Sequence, residues 1–209
     1  MRLALDTTYT EIDHDIFKKH KWFEVYGNVK GAIPNGMPDP RGKIVDLRMH
    51  VDIDHAGEKA TRRSRTGFLI FMSTYLIKCM YMKQPTIETS VFGAESVEMK
   101  HGMETLRGLQ YRLRMMGIPI EGPSYIYGDN MYVIHNTQRP ENTLRKNSKS
   151  ICYHDTRKSA AMGESLTTHI PTGDNRADLL IKGLYGRKWG YHMSNLIYSI
   201  YDDHILKLN

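Results

Sequence analysis

Two periods of apolar residues divide this chain. From "KIVDLRMHVDIDH" through "TGFLIFMSTYLIKCMYMKQ" the apolar positions follow strand spacing, and the second block divides into two strands reversing near Ser73 and Thr74. Three antiparallel strands are therefore predicted first. In "ETSVFGAESVEMKHGMETLRGLQYRLRMMG" the spacing becomes helical: Leu106, Leu109, Leu113 and Met116 form a stripe, while Lys100, Glu104, Arg107, Arg112 and Arg114 take the other positions. Gly117 and Pro119 stop this helix. Gly102 and Gly108 inside it cost about 1 kcal/mol each relative to alanine, so packing against the sheet must hold it. Next come a short strand, "PSYIYGDN", ending at Asp129, and one or two helical turns in "MYVIHNT" before Pro140. A basic loop "TLRKNSKS" leads to the helical "ICYHDTRKSAAMG", which closes at Gly163. "ESLTTHIP" reads as a last strand, and "TGDNRADLLIKG" as a polar turn feeding a helix that ends at Gly183. Ahead of all these, the prolines and glycines of "GAIPNGMPDPRGK" prevent regular structure and mark a connector. Strands that run consecutively and then alternate with helices predict an α/β fold: a five-stranded mixed sheet flanked by helices.

On the first strand, alternation puts Val51 and Ile53 on one face and Asp52 and Asp54 on the other. An isolated D-x-D is most often a half-exposed strand with solvated acids. Metal binding would require further carboxylates arriving at the same end of the sheet. The predicted elements supply them: Glu95 in the first turns of the long helix, Asp129 at the carboxyl end of a strand, and Asp178 in the first turn of the last helix. Polar sites of open α/β sheets lie beside the carboxyl ends of their strands. Four acids gathered there repel one another, so such a cluster needs raised pKa values or bound cations. An all-carboxylate set selects hard cations, Mg2+ first and Mn2+ as its usual substitute.

Composition narrows the picture only a little. At 209 residues a single domain with flanking arms is expected, and 40% apolar with 25% charged residues is ordinary for a globular protein. The net charge of +6 is a mild pointer to a polyanionic partner. Cys79 and Cys152 stand far apart, which indicates neither a disulfide framework nor a cysteine zinc site and fits a reducing compartment. No H-x-x-x-H pair falls on a plausible helix, and there is no phosphate-binding G-x-x-x-x-G-K-[ST] loop. The first residues lack the apolar core of a secretory signal, and the longest apolar run, interrupted by Lys78, is too short to span a bilayer; no membrane association is expected.

In order, "VDIDHAGEKATRRSRTGFLIF", "MKQPTIETSVFGAESVEM", "IYGDN", "SICYH" and "ADLLIK" closely resemble the ribonuclease H domain of copia-type retrotransposon Pol polyproteins. The resemblance implies a ribonuclease H-like fold over 45–185, preceded by a connector from the polymerase region (1–44) and followed by a C-terminal tail (186–209). It implies a metal-dependent endonuclease that hydrolyses the RNA strand of RNA/DNA hybrids, with Asp52, Glu95, Asp129 and Asp178 as catalytic metal ligands. Two Mg2+ ions, or Mn2+, about 4 Å apart would activate a water and stabilise the leaving 3′ oxygen. Asp52 would bridge them, Glu95 and Asp129 completing one side and Asp178 the other. Asp54 becomes a supporting acid, and His154 a possible participant in proton transfer. The phosphates of the hybrid duplex would meet Arg62, Arg63, Arg65, Arg145, Lys146 and Lys149. A reverse transcriptase polymerase domain is the further partner implied, in a cytoplasmic virus-like particle or the nucleus and not in a secreted protein. The chain departs from the family pattern where Glu98 replaces a small residue one turn past Glu95, and where Ile181-Lys182 stands for a threonine-lysine pair. A catalytically decayed retroelement fragment, binding nucleic acid at most, is the alternative. An integrase-like nuclease is disfavoured because a glutamate comes second among the acids.

Overall fold

The strand-spaced blocks form the antiparallel half of a five-stranded sheet in the computed structural model, which describes residues 21–141 and 150–196 apart from 32, 34, 121 and 195. Strand β1 (Leu47–Asp54) pairs antiparallel with β2 (Arg65–Met72), and β2 with β3 (Tyr75–Lys83). The reversal falls at Ser73, as expected, where φ of 54° gives the positive value that tight hairpin turns need. On its other side β1 runs parallel to β4 (Ser124–Gly128), and β4 to β5 (Ser165–His169). The order is β3-β2-β1-β4-β5, so the mixed sheet predicted from the pattern is present and β1 is its centre.

A short helix α1 (Trp22–Tyr26) precedes the sheet, and the long helix α2 (Val91–Met115) covers one face. The side chain of Ser90 caps α2, accepting from the Gly93 amide at 3.2 Å. Its buried apolar stripe is Met99, Met103, Leu106 and Leu113, packed in one cluster with Leu47, Met49 and Val51 of β1, Phe68 and Ile70 of β2, and Ile126 of β4. Met116, expected in that stripe, is 72% exposed because it lies past the last helical residue. Gly102 has a packing reason: a Cβ there would lie 3.0 Å from the sulfur of Met49. Gly108 faces open space. Helices α3 (Met131–Gln138) and α4 (Ser150–Ala161) complete this layer. The buried guanidinium of Arg157 on α4 joins them by donating to the Asn136 carbonyl at 2.7 Å and the Pro140 carbonyl at 3.0 Å.

Alternation alone predicts a solvated second face for β1. Instead His50 and Asp52 are as buried as Met49 and Val51, because the chain after β5 folds back across the sheet. This segment comprises a 3-10 turn (Thr172–Asp174), the short helix α5 (Asp178–Ile181) and helix α6 (Gly186–Ser194). A helix therefore follows the one expected to be last. His50 lies between the rings of Phe71 and Tyr127, with centroids at 5.6 and 5.1 Å. Burial, with the charges of His192 and Arg48 adding to it, depresses His50 to about 3 and keeps it neutral.

Residues ahead of the sheet are stitched to it. The Tyr26 hydroxyl meets Nδ1 of His154 on α4 at 3.1 Å, Trp22 is buried, and the amides of Arg41 and Val45 donate to the carbonyls of Gly117 and Pro119 at 2.7 and 3.0 Å. Among the described residues no helix is long and apolar enough to cross a membrane.

Gly67 controls how closely α5 approaches. It is the cross-strand partner of Asp52, and a Cβ there would lie 2.9 Å from Cγ1 of Ile181 and 3.0 Å from Cβ of Leu180. Urea denaturation of Gly67→Val should show a loss of about 1–3 kcal/mol from overpacking. Gly108→Ala, with room for the methyl and better helix propensity, should gain up to about 1 kcal/mol in the same measurement.

Candidate metal centre

The parallel pairing of β1 with β4 covers only Arg48–Tyr125, Met49–Ile126 and His50–Tyr127. Past it, the Val51 carbonyl accepts from Nδ2 of Asn175 at 2.7 Å instead of from β4. The two strand ends thus part, with Asp52 on one and Asp129, directly after β4, on the other. Fully buried Asn175 also accepts from the Ala177 amide at 3.2 Å, fixing the turn that delivers Asp178 as the first residue of α5. One oxygen from each of Asp52, Asp129 and Asp178 lies within 4.8 Å of the others. Asp52 and Asp178 are buried and Asp129 is half-buried.

Glu95 stands in the second turn of α2, buried, and outside that set. Gln84 pins the start of the helix, its Nε2 donating to Thr66 Oγ1 at 3.0 Å and to the Ala94 carbonyl at 2.9 Å. Burial, then the charge of Asp129, push Glu95 up to about 7; a hydrogen bond from the Asn130 side chain works against them, and Asp52 adds to the rise. Asn130 also caps α3 through its Oδ1. Asp52 too is raised to about 7: burial dominates, the Lys182 ammonium opposes it, and the Asp178 and Asp129 charges reinforce it. Lys182 Nζ lies 2.6 Å from Oδ1 of Asp178 and 3.2 Å from Oδ2 of Asp52. Behind these groups, Glu98 is 2% exposed, and its Oε1 has no hydrogen-bond partner among the described residues. Burial, with Asp52, Glu95 and Asp129 nearby, raises it well above the usual carboxylate range.

No protein-family model matches the chain. The retrovirus-related Pol polyproteins from transposons RE1 and RE2 of Arabidopsis thaliana are each 26% identical to it over 154 residues, 74% of this chain. That stretch is 10% of the first polyprotein and 11% of the second, so the chain spans about a tenth of the length of the curated relatives it matches. Among solved structures, LC11-RNase H1 in complex with an RNA/DNA hybrid has a TM-score of 0.51 at 14% identity, covering 65% of this chain and 94% of that one. This chain has the ribonuclease H fold, and its relatives are retrotransposon Pol polyproteins.

On this ribonuclease H-fold chain the remaining predicted residues fall away from the three-aspartate set. Asp54 ends β1 and curls over the following turn, its carboxylate filling the space where a Cβ on Gly57 would stand. His154 is taken up by Tyr26 and by an edge-on contact with Tyr153. Arg62 is exposed in the loop between β1 and β2, Arg63 is half-buried beside it, and Arg65 pairs with Glu58 at 2.8 Å. Arg145, Lys146 and Lys149 lie outside the described residues. Sequence reasoning did not single out Asn175, Gln84 or Asn130, whose work is positional, nor Lys182 as a partner of the acids. The quoted blocks contain all of them, but a lone amide side chain has no periodic signature.

The acids give the metal-free protein an inverted pH response. Asp52, Glu95 and Glu98 keep their protons in the fold to higher pH than in the unfolded chain; the contribution of Asp52 and Glu95 is most favourable near pH 4 and is lost as pH rises through about 7, and Glu98 acts in the same direction. Denaturation in a chelator should show stability falling between pH 5 and 8. Glu98→Met should flatten that fall and gain about 1–3 kcal/mol at pH 8 by removing an unpartnered buried carboxyl.

Proposed function

We propose that this chain is a divalent-metal-dependent endonuclease that hydrolyses the RNA strand of RNA/DNA hybrids as the ribonuclease H step of reverse transcription. The observation that carries the reading is the meeting of Asp52, Asp129 and Asp178 at the parted ends of parallel strands on a ribonuclease H fold. The donor set fits a hard divalent cation. It is made of carboxylate oxygens alone, and Oε2 of nearby Glu95 is buried without a hydrogen-bond partner among the described residues.

Asp52 with Glu95 and Asp129 would hold one Mg2+ or Mn2+, and Asp52 with Asp178 a second. Bound there, the ions would supply Lewis-acid activation of water and charge stabilisation of the leaving oxygen. The chain's own contribution is placement. Asn175 and Gly67 keep α5 on the sheet so that Asp178 faces Asp52, and Gln84 and Ser90 fix the turn bearing Glu95. Because Asp52 and Glu95 hold protons up to about 7 before an ion arrives, ion affinity should strengthen as pH rises through that value. Arg62 and Arg63, in the loop leaving β1, and the basic residues 145, 146 and 149 would contact backbone phosphates; Arg65 is committed to Glu58. Discrimination for RNA would come from 2′-hydroxyl contacts in the minor groove.

Within this reading, 1–44 is the connector from a polymerase domain, 45–185 the nuclease and 186–209 a tail. The host compartment is a cytoplasmic particle or the nucleus, consistent with Cys79 and Cys152 standing outside any disulfide. One observation favours the alternative of a non-cleaving remnant: Lys182 already neutralises part of the cluster. Incubation of the purified chain with a labelled RNA/DNA hybrid and Mg2+ separates the two. The wild type should cut only the RNA strand, and Asp52→Asn should slow cutting at least about a hundredfold, the scale set by removing one electrostatic catalytic contact. Equal RNA loss with both proteins would refute the assignment, and no loss with either would favour the remnant.

A further inference from the structure

The acids of the centre are not equally available. Asp52 and Asp178 share the Lys182 ammonium, which lies 2.6 Å from Asp178 Oδ1, 3.2 Å from Asp52 Oδ2 and 3.4 Å from Asp52 Oδ1. Among the described residues, neither Glu95 nor Asp129 has an ion pair. One side of the centre therefore carries its own cation and the other does not.

The position of Lys182 makes that cation removable. Its backbone amide closes α5 by donating to the Asp178 carbonyl at 2.7 Å, so the main chain is fixed while the side chain reaches back one turn. The lysine side chain is 39% exposed, against 5% and 8% for the Asp52 and Asp178 side chains. The ammonium can rotate into water without moving either carboxylate. A lysine is a compact point charge on a flexible stem, and a divalent ion offers the same two oxygens twice the charge.

We infer that Lys182 is a tethered cation that closes the Asp52–Asp178 side of the centre to a divalent ion until it swings out, so the centre fills in two steps of unequal affinity. The inference rests on the reading of these acids as ligands of divalent ions. The side holding Glu95 and Asp129 fills first. The other side binds with an affinity reduced by the small fraction of molecules in which Lys182 is already displaced. Lys182 is thus a positioning residue that sets the metal concentration at which the centre becomes complete.

The test is a calorimetric titration of the metal-free chain with Mn2+ at pH 8, alongside thermal melts, for wild type, Lys182→Met, Lys182→Arg and Asp52→Asn. Wild type should bind one ion tightly and a second at least about tenfold more weakly. Lys182→Met should tighten the weak step by about tenfold or more while leaving the tight step nearly unchanged. Its metal-free melting temperature should fall and be restored by Mn2+, which a purely structural loss would not show. Lys182→Arg, which keeps a cation, should retain the weak second step. Should Lys182→Met not fold, Lys182→Gln carries the same readout. If wild type and the neutral variant share the same two affinities while Asp52→Asn loses both, the centre binds metal and the role given to Lys182 is overturned. If no protein binds Mn2+, the ligand reading fails and this inference falls with it.

Discussion

Crowding of negative charge at the centre of the sheet is the constraint to which the rest of this structure answers. Asp52, Asp129 and Asp178, with Glu95 and Glu98 close by, occupy a region where water is largely excluded and like charges are poorly screened. Such an arrangement does not assemble itself. It is imposed by elements whose stability comes from elsewhere: the apolar contact of α2 with β1, β2 and β4, the pairing of β2 with both neighbours, and the covering of the second face by the returning chain. Two responses to the crowding are visible. Burial and mutual repulsion raise Asp52, Glu95 and Glu98 so that protons stay on, and Lys182 supplies a local positive charge.

The architecture shows how little contact is needed to aim these groups. A single amide side chain, Asn175, both completes the hydrogen bonding of β1 where β4 leaves it and sets the turn before Asp178. A missing side chain, at Gly67, lets α5 rest on the strand beside Asp52. Gln84, joined to β2 and to the first turn of α2, couples Glu95 to the same strand from the other direction. Asp52, Glu95 and Asp178 therefore share β2 as a common support although none of them lies on it.

Much of this was legible in the order of residues. The change from strand to helical spacing marked the three antiparallel strands and α2 because these elements are long and amphipathic. Asp52 was found from the alternation of the first strand, and Asp129 and Asp178 because each stands at an element end, where topology dictates position. Burial on both faces of β1 was less readable. His50 and Asp52 are polar by type, and the segment that covers them lies more than a hundred residues away in the chain. For the same reason the stripe of α2 was placed too far toward its C-terminus: Met116 looks apolar in sequence but lies past the helix end, whereas Met99 and Met103 face β1. Hydrogen-bonding amides such as Asn175 acquire their meaning only from partners that folding brings near.

The segment ahead of the sheet carries a last consequence. Trp22 is buried, Tyr26 engages His154, and Arg41 and Val45 bond to the turn between α2 and β4. A stretch tied down at three separate places behaves as a splint and not as a hinge. A chain begun at residue 45 would lose the contacts that Trp22, Tyr26 and Arg41 make, and with them a bracing strap on α4.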